Sequence, residues 1–292
     1  MSILNRASDG LFNMVTVLYN TLRHEGPMNR DKLLAMVAPA SVSEDRKMAS
    51  NSLNRWIDLG LFEESDGNVK LKTSEKGKST ASLSSTMRRL VLSQDNNRNF
   101  WDAEGSASAD FTRALAWLLA QNVYSCSLFG HGDAATLENN QIALPDRAVF
   151  QNDTRWHGFK AWALFLGFGV SSLKRGAFEI DPTVAVRESL DTVFDGINEM
   201  SIYDFIERLA EVLPVIDGGL YRKEVESQLN PRHWESVSER EISTSLSRAL
   251  LRLREAGVLR LDNRSDSPTR MEMLLQGKRT QSVTHVIRAG AH

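Results

Sequence analysis

Apolar residues recur at helical spacing in two stretches far apart in the chain. Ala49, Leu53 and Trp56 mark one stripe, and Ile242, Leu246, Ala249, Leu250 and Leu253 mark the other. Each stretch is therefore predicted to be a helix with one buried side and one polar side. A single shift (250 − 53 = 197) carries Leu53, Arg55, Trp56, Gly60, Leu61 and Phe62 onto Leu250, Arg252, Leu253, Gly257, Val258 and Leu259. The same shift places Ser41 and Glu44 on Ser238 and Glu241, so each pair predicts a capping box at a helix start. Each helix should stop at its glycine, where a left-handed residue meets no Cβ penalty. A short apolar step then leads into a turn, residues 63–68 in the first stretch and 262–268 in the second. Strands at 69–72 and 270–275 follow the turns.

The halves upstream align with a different offset. Leu33, Val37 and Pro39 match Val225, Leu229 and Pro231 at a shift of 225 − 33 = 192, which leaves the late stretch five residues longer before its last helix. A first helix is predicted before each, from Leu11 to Arg23 and from Ile202 to Leu213, with Asn29 opening the second helix of the early stretch. Helix, helix, helix, short strand, hairpin and strand is the order of a winged helix-turn-helix. The pattern thus predicts a mainly α protein with small β-hairpins, built from tandem winged helix-turn-helix domains. An N-terminal one spans 1–86, and a C-terminal one with a basic tail spans 200–292. Residues 87–199 form a central helical domain. There 110–121 and 156–168 read as buried helices, 177–180 as a strand, and Asp181-Pro182-Thr183 as the start of a helix ending near Phe194. That order fits a third, degenerate winged helix, although the loop from Tyr124 to Asp146 is long for one.

At 292 residues, with 41% hydrophobic and 25% charged positions, the chain is expected to hold two or three domains of ordinary globular composition. No apolar run is long enough to cross a bilayer, and the first residues lack a secretory core, so the expected compartment is the cytoplasm, away from any membrane. One cysteine, Cys126, excludes an internal disulfide and any cysteine-rich zinc finger. A net charge of −2 argues against a general polyanion binder. Basic residues are nonetheless clustered: Lys70, Lys72, Lys76, Lys78, Arg88 and Arg89 follow the early stretch, and Lys278, Arg279 and Arg288 follow the late one.

Enzymatic signals are thin. The six histidines have no metal-ligand spacing, so neither a metal site nor a cofactor is expected. Gly130-His131-Gly132-Asp133 reads as a polar loop. Asp146, Glu179 and Asp181 would be the acids of a metal-dependent nuclease, with Lys174 as the lysine near the scissile phosphate, but their spacing fits no such signature, and Asp181 serves better as a helix cap. Trp156, Phe159 and Trp162 could stack on bases, yet such a stripe on an apolar helix is more often core. No catalytic residue is assigned, and the chain is not expected to be an enzyme.

The polar helix sides carry the functional expectation. Arg46, Lys47, Ser50, Asn51 and Asn54 would face a duplex from the early stretch, with Lys70 and Lys72 from its wing. Arg240, Ser243, Ser247 and Arg248 would do so from the late one, with Arg264 beside them. Asparagine can pair with adenine and arginine with guanine, while lysine and serine hold phosphate. The expected partner is double-stranded DNA, with no catalysis. Glu44 and Asp45 count against it, so a protein-docking adaptor is the rival, and a transcriptional regulator a further alternative; a homodimer fits either.

The opening LNRASDGLFNMVTVLYNTLRHEGPM, the central LGFG with DPT, and the late winged helix together resemble the DpdG-like family of bacterial 7-deazaguanine DNA-modification and anti-phage defence clusters. The resemblance spans most of the chain and supplies no site residues. It implies a bacterial cytoplasmic accessory factor acting beside helicase and nuclease partners in a defence complex.

Overall fold

The computed structural model describes residues 2–4, 11–39, 41, 46–72, 82–101, 107–126, 128, 130–142, 148–171, 178–265, 267 and 270–289. Among them the chain forms eleven α-helices, about half of it helical and 17% strand, with small and mostly antiparallel sheets. The order begins α1 (Phe12–Glu25), β1 (Met28–Asn29), α2 (Arg30–Val37), α3 (Lys47–Asp58), β2 (Phe62–Ser65), β3 (Asn68–Leu71) and α4 (Leu83–Val91). It continues α5 (Ala109–Leu119), α6 (His131–Gln141), α7 (Asp153–Phe165), β4 (Gly169–Ser171), β5 (Phe178–Ile180) and α8 (Thr183–Phe194). Then come β6 (Glu199–Ser201), α9 (Ile202–Val212), α10 (Leu220–Glu226), β7 (Glu241–Ile242) and α11 (Thr244–Glu255). Four strands close the chain: β8 (Leu259–Asp262), β9 (Met271–Leu275), β10 (Lys278–Val283) and β11 (His285–Arg288). Contacts divide it into two compact units, Met1–Phe111 with Asn152–Phe165, and Thr112–Gln151 with Leu166–His292.

In the first unit the side chain of Asn29 caps α2 by accepting from the amides of Asp31 and Lys32. Gly26 ends α1 in a positive-φ conformation. β1, β3 and β2 lie side by side in that order, all antiparallel. Asp66 and Gly67, both at positive φ, form the tight turn between β2 and β3, as a two-residue hairpin requires. Val15, Leu18 and Leu22 of α1 are buried with Ala49, Leu53 and Trp56 of α3. From α7, Trp162 sets its ring 5.7 Å from that of Trp56, and Phe165 stacks at 4.6 Å on Phe12. Trp156, Phe159 and Trp162 are all buried, so this aromatic stripe is core and offers no stacking platform.

In the second unit the same order recurs. β6, β11 and β8 lie side by side, antiparallel, as β1, β3 and β2 do; Met28 faces Val69, and Met200 faces Val286. Helix α8 packs on α9 and α11 as α1 packs on α2 and α3. The shift of 197 holds to the residue: α3 maps onto α11 and β2 onto β8. Gly60 and Gly257 both take positive φ, and the bonds closing the two helix ends are the same pair, Leu61 N–H to Trp56 O and Val258 N–H to Leu253 O.

Several expectations need correction. The helix in the place of α1 is α8, not Ile202–Leu213, which is the counterpart of α2: each follows a short strand and is capped by that strand's last residue, Asn29 or Ser201. The offset of 192 therefore compared α2 with α10, an additional helix whose apolar spacing happens to agree. Ser238 and Glu241 do share half of a capping box, with the Ser238 amide on the Glu241 carboxylate, but in a turn before β7; α11 is capped by Ser243. Glu44, of the early box, lies outside the described residues, as do Lys76, Lys78, Asp146 and Lys174. Residues 271–275 are not the return strand of the late wing. They pair with β10 around a Gln276-Gly277 turn and with β7, and β11 is the return strand. Lys278, Arg279 and Arg288 thus lie in strands, not in a tail. The expected loop from Tyr124 to Asp146 contains α6, begun by Gly130 with the Asp133 carboxylate on its amide.

Replacing Gly60 or Gly257 by alanine should lower stability by about 1 kcal/mol each, because the added Cβ meets no close atom at either place and only the left-handed backbone resists it. Denaturant melts check this, and a neutral Gly257→Ala would show that the two helix ends are not the same device.

Candidate nucleic-acid interface

Twelve side chains were expected to meet DNA, and the structure leaves most of the early ones open and covers Ser243, Ser247 and Arg248 of the late ones. On α3, Lys47 and Asn54 are exposed, and Ser50 and Asn51 are half-buried. Lys70 and Lys72 are exposed on the neighbouring β3 and just beyond it, and Lys70 Nζ lies 3.4 Å from the Glu63 carboxylate on β2. Arg46 points elsewhere in its bonding: its Nε donates to the carbonyl of Ala38, at the end of α2, over 3.1 Å. That bond ties the α2–α3 connection, so Arg46 has a role inside the fold.

At the middle of this side stands a residue that sequence reasoning passed over. Arg30, the first residue of α2, donates through Nη1 to Glu64 Oε2 at 2.6 Å, and through Nη2 to Ser50 Oγ at 3.2 Å and Asn54 Oδ1 at 2.5 Å. Its side chain is 23% exposed. The signal was indirect: a cation directly after an N-cap sits at the start of α2, and only the fold brings that end beside α3 and β2.

The matching side of α11 is closed. Ser243, Ser247 and Arg248, expected to read a duplex, are all buried, which corrects that expectation. The reason lies in their short hydroxyls. Ser243 donates to Asp217 at 2.6 Å, Thr244 to the Gln121 carbonyl at 3.3 Å and Ser245 to the Leu119 carbonyl at 2.8 Å. Ser247 donates to the Ile242 carbonyl at 3.1 Å and accepts from the Leu274 amide of β9 at 3.1 Å. Buried backbone groups must be paired, and a row of small hydroxyls lets other segments come close and be satisfied. Arg248 lies under the Tyr124 ring at 5.7 Å, donates to the Ile180 carbonyl and approaches Glu179 at 3.7 Å. Of the rest, Arg240 is exposed, and Arg264 pairs with Glu199 at 2.6 Å.

Of the acids weighed for nuclease chemistry, Glu179 and Asp181 are likewise engaged, Glu179 lying 3.7 Å from Arg248. Asp181 is buried, accepts from the Thr183 amide as a helix cap, and pairs with Arg252. His131 is on α6, its Nε2 3.1 Å from the Phe150 carbonyl. Among the described residues no group of three or more His, Cys, Asp or Glu is placed to hold a metal ion, and no helix is long and apolar enough to cross a membrane.

Between α6, the 233–243 connection and the β9–β10 hairpin lies a cavity of about 770 Å³ lined by Asn122, Cys126, Asn140, Trp234 and Glu241, among others. The hydrogen bond from Arg279, at 2.6 Å, holds the Glu241 carboxyl below its ordinary range. The stability this adds is present at neutral pH and is lost as the pH falls through the lowered value. Burial pushes the Cys126 thiol up to about 11.

These features define a mainly helical protein with small sheets in which one helix-and-hairpin arrangement occurs twice. A family model described as DpdG-like matches residues 1–267, and the chain belongs to that family. Membership associates it with a DpdG-associated system. Comparison with curated proteins and with solved structures gave no match.

At pH 8 the Cys126 thiol should be alkylated about 10-fold more slowly in the folded chain than in denaturant, since raising the value from 9.0 to about 11 leaves about 100-fold less thiolate, partly offset by that thiolate's greater nucleophilicity. Mass spectrometry of iodoacetamide-treated protein measures the ratio; equal rates would show the thiol to be exposed.

Proposed function

We propose that this chain is a tandem winged-helix protein that binds double-stranded DNA through its first copy and performs no catalysis itself. The single observation that carries the reading is the open side of α3, where Lys47, Ser50, Asn51 and Asn54 lie beside the β2–β3 wing with Lys70 and Lys72. A winged helix sets its third helix in the major groove and its wing on the adjacent backbone, and side chains of these lengths suit that approach. The late copy, α8 to β11, then serves as scaffold, its equivalent helix side being taken up by the chain's own backbone. The central stretch is read as a third, degenerate copy, supported within the second unit by the antiparallel bridge from Leu128 to Phe178, which puts Leu128, β5 and β4 in the same order. The family supports a cytoplasmic accessory role in a bacterial DNA-modification or anti-phage system, beside partners that supply the catalysis.

A second reading, a protein-docking adaptor, is favoured by Met36 and Met48, which stand nearly half exposed on α2 and α3. Salt separates the two. Duplex binding should weaken with salt in proportion to the phosphates contacted, and replacing Lys47, Asn51 and Lys70 together by alanine should cut affinity at least ~10-fold and flatten the log–log slope by about 2. The melting temperature should be nearly unchanged. Retention that ignores salt and survives these changes would favour the adaptor.

A further inference from the structure

On the open side of α3 the chain gathers Arg30, Ser50 and Asn54 around one of its own carboxylates, that of Glu64. Arg30 holds Ser50 and Asn54 by their acceptor atoms, the Ser50 oxygen and the Asn54 Oδ1. What those two side chains have left to offer is donors: the hydroxyl hydrogen of Ser50 and the Nδ2 hydrogens of Asn54. A guanidinium, a hydroxyl and an amide thus gather donors around one place. The group answering is Glu64, reaching over from β2 to Arg30 Nη1 at 2.6 Å, with its side chain 31% exposed. One carboxylate oxygen on one guanidinium nitrogen stands where a single phosphate oxygen would stand on the same nitrogen.

We infer that Arg30, Ser50 and Asn54 form a binding site for one backbone phosphate of duplex DNA, and that Glu64 fills this site until the duplex displaces it. The inference rests on the DNA reading above and adds to it a named phosphate contact and a competitor. Ion pairs this exposed contribute little to stability, so exchanging Glu64 for a phosphate leaves the fold unaltered. The exchange also accounts for a face that carries an acid on its wing and still suits a polyanion: Glu64 neutralises Arg30 in the free protein and swings away in the complex. Glu255, an exposed acid paired with Arg254 at 2.8 Å on the late copy, serves as the control for net charge.

A double-mutant cycle on the full chain tests this, with affinity for one duplex of fixed sequence measured at constant salt for wild type, Arg30→Ala, Glu64→Gln and the double variant. Arg30→Ala should lose about tenfold in affinity and reduce the salt slope by about 1. Glu64→Gln should gain several-fold, and this gain should vanish when Arg30 is already alanine. Arg30→Gln, which keeps a donor for Ser50 and Asn54, should fold as wild type does and still bind weakly, which guards against a misfolded alanine variant. A Glu64→Gln gain that persists in the Arg30→Ala chain, or that Glu255→Gln reproduces in full, would mean a mere change of net charge and would overturn the inference while leaving duplex binding in place. Wild-type affinity in both Arg30 variants would overturn it equally. Failure of every chain, wild type included, to bind duplex would defeat the DNA reading itself and this site with it.

Discussion

The hydroxyl of Ser247 takes a backbone amide from β9 and gives its proton to the carbonyl of Ile242, both at 3.1 Å. Ser50, its counterpart at the same place on α3, has no strand laid over it among the described residues and accepts from Arg30 Nη2 at 3.2 Å. One close approach of backbone to a helix therefore separates two versions of the same arrangement. Where the segments from α5 and β9 have come down on α11, the helix is an internal beam. Where none has, the helix presents donors and cations to solvent.

What makes that approach feasible is side-chain size. Thr244, Ser245 and Ser247 occupy the positions of Lys47, Met48 and Ser50, and each carries a hydroxyl able to pair with a main-chain group a short reach away. Lysine and methionine there would hold a second segment off. The additional elements of the late copy, α10, β7 and the β9–β10 hairpin, enlarge a module whose plan stays intact, since β11 still returns to lie between β6 and β8. Insertions are tolerated in such connections because lengthening a loop costs little entropy once its ends are fixed.

Much of this was legible in the sequence and some was not, for reasons specific to particular residues. The 197-residue repeat was readable because a helix stripe, a terminal glycine and an apolar step are all local signals, and α3 and α11 begin and end where the shift requires. The upstream offset misled because α9 and α10 are both short amphipathic helices; only the strand before each candidate, Met28-Asn29 or Met200-Ser201, tells which is which, and a strand of two or three residues leaves almost no pattern. The closing strands were mistaken for a wing and a tail because β8 pairs across a whole hairpin with β11, a non-local choice. The serines of α11 were taken for exposed groups because a hydroxyl on a helix side reads the same whether it awaits a phosphate or a carbonyl. Arg30 was missed because its neighbours Ser50, Asn54 and Glu64 are distant in sequence.

The most direct trial of the account is methionine oxidation of the native, unmodified chain by dilute peroxide, followed residue by residue by mass spectrometry. Met48 stands 47% exposed on the open helix, and Met273 lies fully buried in the strand that covers the other one. The account requires Met48 to oxidise rapidly while Met273 stays protected until the protein unfolds. Oxidation of Met273 at the pace of Met48 would mean that β9 does not cover α11, and the distinction between an open copy and a closed one would fall.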